Sequence, residues 1–110
     1  MEHTQREENG CTIVAFTGDI DLESSPDVRR VLLDCVKAND SVIVDLSGVD
    51  YIDSSGVASM VEAFQTTRAG SGQFSLAAVS ESALRVLQLA RLDKVFTIYG
   101  SVEEGLADGG

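Results

Sequence analysis

The apolar positions switch between two rhythms along the chain, and the switches mark out its elements. Thr12-Ile13-Val14-Ala15-Phe16-Thr17 is β-branched and aromatic and predicts a strand. Upstream, Glu2 to Glu8 is polar, and Asn9-Gly10 stands between the two. That dipeptide is a strong hairpin signal, because a type I′ turn needs positive φ at both central residues. The polar arm, residues 1–9, reads as an edge strand or a fraying end. Gly18 ends the hairpin, and Asp19-Ile20-Asp21-Leu22 reads as a loop.

The rhythm then becomes helical. Val28, Val31, Leu32, Cys35 and Val36 form one buried stripe, with Ser25 as the expected cap, Pro26 at the first helical position and Asp27 in the first turn. Asn39 and Asp40 close this helix. Val42-Ile43-Val44 with Leu46 is a continuous apolar run, as expected of a central strand covered on both faces. After Val49-Asp50-Tyr51-Ile52, residues Val57, Met60, Val61 and Phe64 recur at helical spacing, predicting a helix over about 55–68 that stops at Gly70-Ser71-Gly72. Phe74 to Val79 is a further strand. Ser80 caps a helix with a wide stripe (Ala83, Leu84, Val86, Leu87, Leu89, Ala90), part of which is left for a partner. Val95 to Ile98 is the last strand. Ser101 and Glu104 form a capping box for a short terminal helix carrying Val102 and Leu106, and residues 108–110 are expected to be loose. The order β-β-α-β-α-β-α-β-α predicts a single α/β domain over 1–110, with about four helices on a mixed, mostly parallel sheet that begins with a β-hairpin.

Charge narrows the function classes. Eight Lys and Arg against eighteen Asp and Glu give a formal charge of −10, which argues against direct contact with nucleic acid or an anionic bilayer. No apolar run approaches the ~18 residues of a membrane span, and Met1 to Glu8 lacks the apolar core of a secretory signal. Cys11 and Cys35 belong to no CxxC or Cys/His cluster and read as buried free thiols of a cytoplasmic protein.

Catalytic readings fail in turn. The one histidine, His3, sits in the polar arm, and the position of the first glycine of a nucleophile elbow is Ile52, so serine hydrolysis is excluded. Gly70-Ser71-Gly72 follows a helix, the wrong order for a phosphate loop. Asp45 ends a buried strand as a phosphoacceptor aspartate would, but Lys94 precedes the last strand where a receiver domain needs a lysine after it. Asp19, Asp21, Asp50 and Asp53 crowd one end of the sheet without a metal-ligand spacing, so no metal and no cofactor is expected. What remains is Asp53-Ser54-Ser55-Gly56, a strand-to-helix loop where free N–H groups and the helix dipole favour negative charge. Either Asp53 or Ser54 suits the N-cap there, and Gly56 allows close packing. On these grounds alone Ser54 is equally a plain cap or a switch.

These residues resemble the STAS domain family. Asp53-Ser54-Ser55-Gly56 is similar to the D-S-[ST]-G motif of its anti-sigma factor antagonists, Gly18-Asp19-Ile20-Asp21 to a G-x-[IL]-D loop, and Leu92-Asp93-Lys94-Val95-Phe96 to an L-x-x-[VIL]-F stretch. The resemblance spans residues 10–107 and implies a non-enzymatic STAS-type domain with Ser54 as phosphoacceptor. It further implies a partner-binding surface of Asp21, Asp53, Ser54, Ser55, Gly56 and Val57, with Gly56 leaving room for a partner or a nucleotide phosphate. The implied partner is an anti-sigma factor that is also a serine kinase of the GHKL ATPase type, bound by the unphosphorylated domain and released on phosphorylation, with a serine phosphatase to reset the cycle. Two departures are Ala58, where the family often has glycine, and Ala90-Arg91-Leu92, where many antagonists read S-G-L. The alternative within the same fold is a STAS subunit of a phospholipid-trafficking ABC transporter, docked on the ATPase without a phosphorylation cycle.

Overall fold

The computed structural model describes residues 1–70 and 72–108; Ser71, within the expected Gly70–Gly72 turn, and Gly109–Gly110 lie outside them. The elements run β1 (Glu2–Glu8), β2 (Cys11–Thr17), α1 (Ser25–Ala38), β3 (Ser41–Gly48), α2 (Ser54–Ala69), β4 (Gln73–Ala77), α3 (Glu81–Leu89), β5 (Thr97–Tyr99) and α4 (Val102–Ala107). The expected order is therefore the observed one. The five strands form one sheet in the order β1-β2-β3-β4-β5, antiparallel between β1 and β2 and parallel thereafter.

The polar arm is an edge strand. Asn9 and Gly10 take φ of 52° and 80°, the positive values that the tight turn requires, and all seven residues of β1 are exposed. Charged residues along an uncovered edge discourage pairing with another sheet.

Three successive β-α-β crossovers step the same way along the sheet, so their common handedness carries α1, α2 and α3 to one face. Strand alternation then sorts the core. Val14, Phe16, Val42, Val44, Phe74 and Leu76 point to that face and pack with Val28, Leu32, Met60 and Leu87. Ile13, Ile43 and Ala77 point to the other, where Val102 of α4 covers them with Tyr99 and Leu106 alongside. The apolar run of β3 is thus buried on both faces. Cys11 and Cys35 are buried free thiols, and burial pushes the Cys35 thiol up despite the Asn39 amide close by.

Local boundaries differ from expectation where tertiary contacts outrank sequence signals. The N-cap position of α1 is Ser24, not Ser25. Ser24 Oγ is drawn back to accept from Asp21 N–H at 3.0 Å, while Ser25 is buried, its carbonyl accepting from Ser59 Oγ at 3.3 Å. The last strand is shorter and later than Val95–Ile98. Val95 and Phe96 both donate N–H to Leu92 O at 3.0 Å, and this turn delivers the Phe96 ring to Phe64 and Phe74, with centroids 5.4 and 6.1 Å away. Ser101 caps α4 as expected, but Glu104 reaches back to the N–H of Gly100. Asp108 is held rather than loose, its carboxylate accepting from Tyr99 Oη at 2.6 Å.

Candidate functional site

Two loops that are separate in sequence are stitched together by a single parallel bridge, Ile20 to Ile52. Ile20 donates N–H to Tyr51 O at 2.9 Å, and Asp53 donates N–H to Ile20 O at 3.0 Å. Both isoleucines are fully buried, so the bridge anchors the loops after β2 and β3 on the core. A third segment joins them: Ser80 and Ser82, at the start of α3, both donate hydroxyl bonds to Asp50 O. All three loops lie beyond the C-terminal ends of parallel strands, where a parallel sheet exposes its functional edge.

The bridge sets Asp53 in an extended conformation, φ −102° and ψ −176°, which aims its carboxylate at the start of α2. Asp53 Oδ1 accepts from Ser55 N–H at 3.0 Å, Gly56 N–H at 3.1 Å and Ser55 Oγ at 2.5 Å. The Ser55 hydroxyl, more than the N–H groups of Gly56, Ser55 and Leu22, holds the Asp53 carboxyl below its usual range against the cost of burial. The two open questions of capping are therefore decided together. Asp53 is the cap, Ser55 is tied to it, and Ser54 is left as the first helical residue, exposed, with a hydroxyl that makes no hydrogen bond among the described residues.

The other expected contact residues divide. Asp21 lies on the segment alongside Asp53, one residue past the bridge, but its carboxylate organises its own loop, accepting from Glu23 N–H at 3.1 Å and Ser24 N–H at 3.0 Å. Gly56 and Val57 are buried. A Cβ at Gly56 would lie 2.5 Å from Ile20 Cγ2 and 2.8 Å from Ile52 Cγ1, so the missing side chain lets α2 close onto the bridge. That space faces the core. The accessible part of the motif is Ser54 with the half-buried Asp21, Asp53 and Ser55.

Two apolar side chains that sequence reasoning passed over border this loop. Leu22 is 76% exposed and Tyr51 49%. A leucine within the acidic run Asp19–Glu23 was the available signal. The acids themselves do not converge: no group of three His, Cys, Asp or Glu side chains fit to hold a metal occurs among the described residues. Asp45, the other acidic candidate, accepts from Ser47 N–H at 3.0 Å. No described helix is long and apolar enough to cross a membrane.

Comparison with known proteins identifies the family and the fold. The family model described as STAS domain matches residues 4–105. The anti-sigma-B factor antagonist of Bacillus subtilis is 27% identical over 93 residues, 84% of this chain and 85% of that protein. An anti-sigma factor antagonist of Mycobacterium paratuberculosis has a crystal structure that superposes with a TM-score of 0.88 at 22% identity, covering 97% of this chain and 92% of that one. The Bacillus cell fate determinant SpoIIAA, solved in its phosphorylated form, superposes with a TM-score of 0.76 at 17% identity over 99% of this chain and 100% of its own.

Proposed function

Because the chain belongs to the STAS domain family, we propose that it is an anti-sigma factor antagonist, a non-enzymatic cytoplasmic switch phosphorylated on Ser54. The observation that carries this reading is the division of labour at the start of α2: Asp53 caps the helix, Ser55 is bound to Asp53, and the exposed Ser54 hydroxyl has no structural task. A helix cap cannot be modified without loss of the cap; Ser54 can. The names of the relatives, and a neighbour of the same fold solved with its phosphate, point the same way.

The unphosphorylated domain binds an anti-sigma factor, itself a serine kinase of the GHKL ATPase type, through the Ser54 loop with Leu22 and Tyr51 beside it. Phosphorylation adds about 1.5 to 2 negative charges and three acceptor oxygens. At the first turn of α2 that charge meets the favourable end of the helix dipole, so the domain keeps its fold. The partner surface, fitted to a neutral hydroxyl between two apolar side chains, loses its fit. Release frees the kinase to hold its sigma factor, and a serine phosphatase restores the neutral form.

The test is incubation with the cognate kinase and ATP, followed by intact-mass measurement and peptide mapping. One phosphate on Ser54 is expected, with loss of kinase binding. Phosphate on Ser55 in place of Ser54 overturns the assignment. A chain that takes up no phosphate and captures a transporter ATPase overturns the function in favour of the ABC-transporter reading.

A further inference from the structure

We propose that the C-terminal end of α3 is a docking surface for a second copy of this chain, received at the Leu22 loop. Leu89 is 81% exposed, more than any other large apolar side chain described. Arg91, two residues on, holds φ of +60° at the helix exit, a conformation for which glycine is the usual residue. Its position is fixed by the exit itself, where Arg91 N–H donates to Gln88 O at 3.0 Å and Leu92 N–H to Leu87 O at 2.8 Å. An arginine kept at a position suited to glycine, next to a fully displayed leucine, is a local cost without a local contact.

The surroundings are cationic in an acidic protein. Between residues 54 and 100 the acids are Glu62, Glu81 and Asp93 against Arg68, Arg85, Arg91 and Lys94, so this stretch is net positive in a chain of charge −10. Arg85 is four residues before Leu89 and shares its helix face. Arg85, Arg91 and Lys94 are exposed and enter no ion pair among the described residues. Attraction to the helix dipole would account for cations here, but not for a bare leucine among them or for the strained backbone at Arg91.

The complement is on the same molecule. Leu22 is exposed on the loop that supplies Asp19, Asp21 and Glu23, and these acids line, with Asp27, Ser24 and Met1, a depression of about 440 Å³, ample for a guanidinium. An apolar knob rimmed by acids thus faces one way, and an apolar knob rimmed by cations another. The loop before α1 leaves the C-terminal end of β2, whereas α3 ends before β5 begins, so the two patches occupy opposite ends of the sheet. Their meeting is heterologous, between two copies in head-to-tail order. At a Debye length of about 8–10 Å the charges at the contact act more strongly than those spread over the rest of the two chains. The inference stands independently of phosphorylation, although a copy seated on Leu22 would cover the end of the sheet that carries Ser54.

The test is light scattering or sedimentation of the full chain at rising concentration in about 0.1 M salt. The mass average should climb from 11.7 kDa for the single chain to at least twice that by about 1 mM, and fall back when salt is raised severalfold. Leu89→Glu blocks the cationic patch and Leu22→Lys the acidic one; each site is exposed, so both variants fold. Each alone should stay monomeric, while an equimolar mixture, with one intact patch on each protein, should form a dimer and nothing larger. Arg91→Gly should weaken association at least threefold while raising the melting temperature. A wild-type chain that stays monomeric throughout, or variants that fail to restore association when mixed, overturns the proposal.

Discussion

Placing a single methyl group at Gly56 sets two known effects against each other at the heart of the site. In α2, Gly56 is the third helical residue, and alanine there favours the helix by up to about 1 kcal/mol. The structure opposes this: the new Cβ would stand 2.5 Å from Ile20 Cγ2, 2.8 Å from Ile52 Cγ1 and 3.2 Å from Ile52 Cδ1. Neither isoleucine can retreat. Ile20 is 0% and Ile52 1% exposed, and the backbone bonds of the bridge pin both. Overpacking costs about 1–3 kcal/mol, and contacts this short against fixed neighbours belong to its upper part, about 2–3 kcal/mol, so Gly56→Ala should be destabilised by about 1–2 kcal/mol after the helix gain is subtracted. For a domain of this size that corresponds to a fall in melting temperature of roughly 4–8 °C per kcal/mol. Ala58, exposed two residues further along the same helix, supplies the control: Ala58→Gly reports the helix term alone, about 1 kcal/mol. Urea and thermal unfolding of both variants, followed by far-UV circular dichroism, measure the two terms. If Gly56→Ala proves as stable as the parent or more so, the close approach of α2 to the Ile20–Ile52 bridge is not the constraint described.

Asp53→Ala should cost about 1–2 kcal/mol through loss of the cap, and Asp53→Asn less, as seen in urea unfolding at neutral pH. Because the folded state holds the Asp53 carboxyl below its usual range, its contribution is present above the ordinary carboxylate pKa and is lost as pH falls through the lowered one. The stability gap between the parent and Asp53→Asn should therefore narrow on titration into that acid range; a gap that widens refutes the sign. Ser54→Ala, which removes a hydroxyl without a hydrogen bond, should shift stability by less than about 0.5 kcal/mol while making kinase binding insensitive to ATP in a pull-down. Ser54→Asp should weaken that binding with little change in melting temperature. Arg91→Gly relieves a left-handed conformation and should gain about 0.5–1 kcal/mol in thermal unfolding.

The element order, the hairpin turn at Asn9-Gly10 and the caps at Ser80 and Ser101 follow from the sequence alone. These are local properties: the period of the apolar residues, a demand for positive φ, a hydroxyl within reach of its own helix's N–H groups. The exposed part of the α3 stripe was legible for the same reason, since a stripe too wide for one buried face must leave residues outside; Leu89 is one of them. What the sequence left undivided was Asp53 and Ser54, two adjacent residues both chemically able to cap. Their roles depend on the backbone angles at Asp53, and those are set by the bridge from Ile52 to Ile20, 32 residues upstream of it in a stretch with no strand signal of its own. Ser25 departs from its expected role as a cap for the same reason: the hydroxyl of its neighbour Ser24 is engaged by Asp21, and Ser25 itself is buried against α2. So the sequence determined that a polar loop would stand at the head of a buried helix. Only the packing of two distant loops decided that Asp53 would hold the helix and that Ser54 would be left exposed.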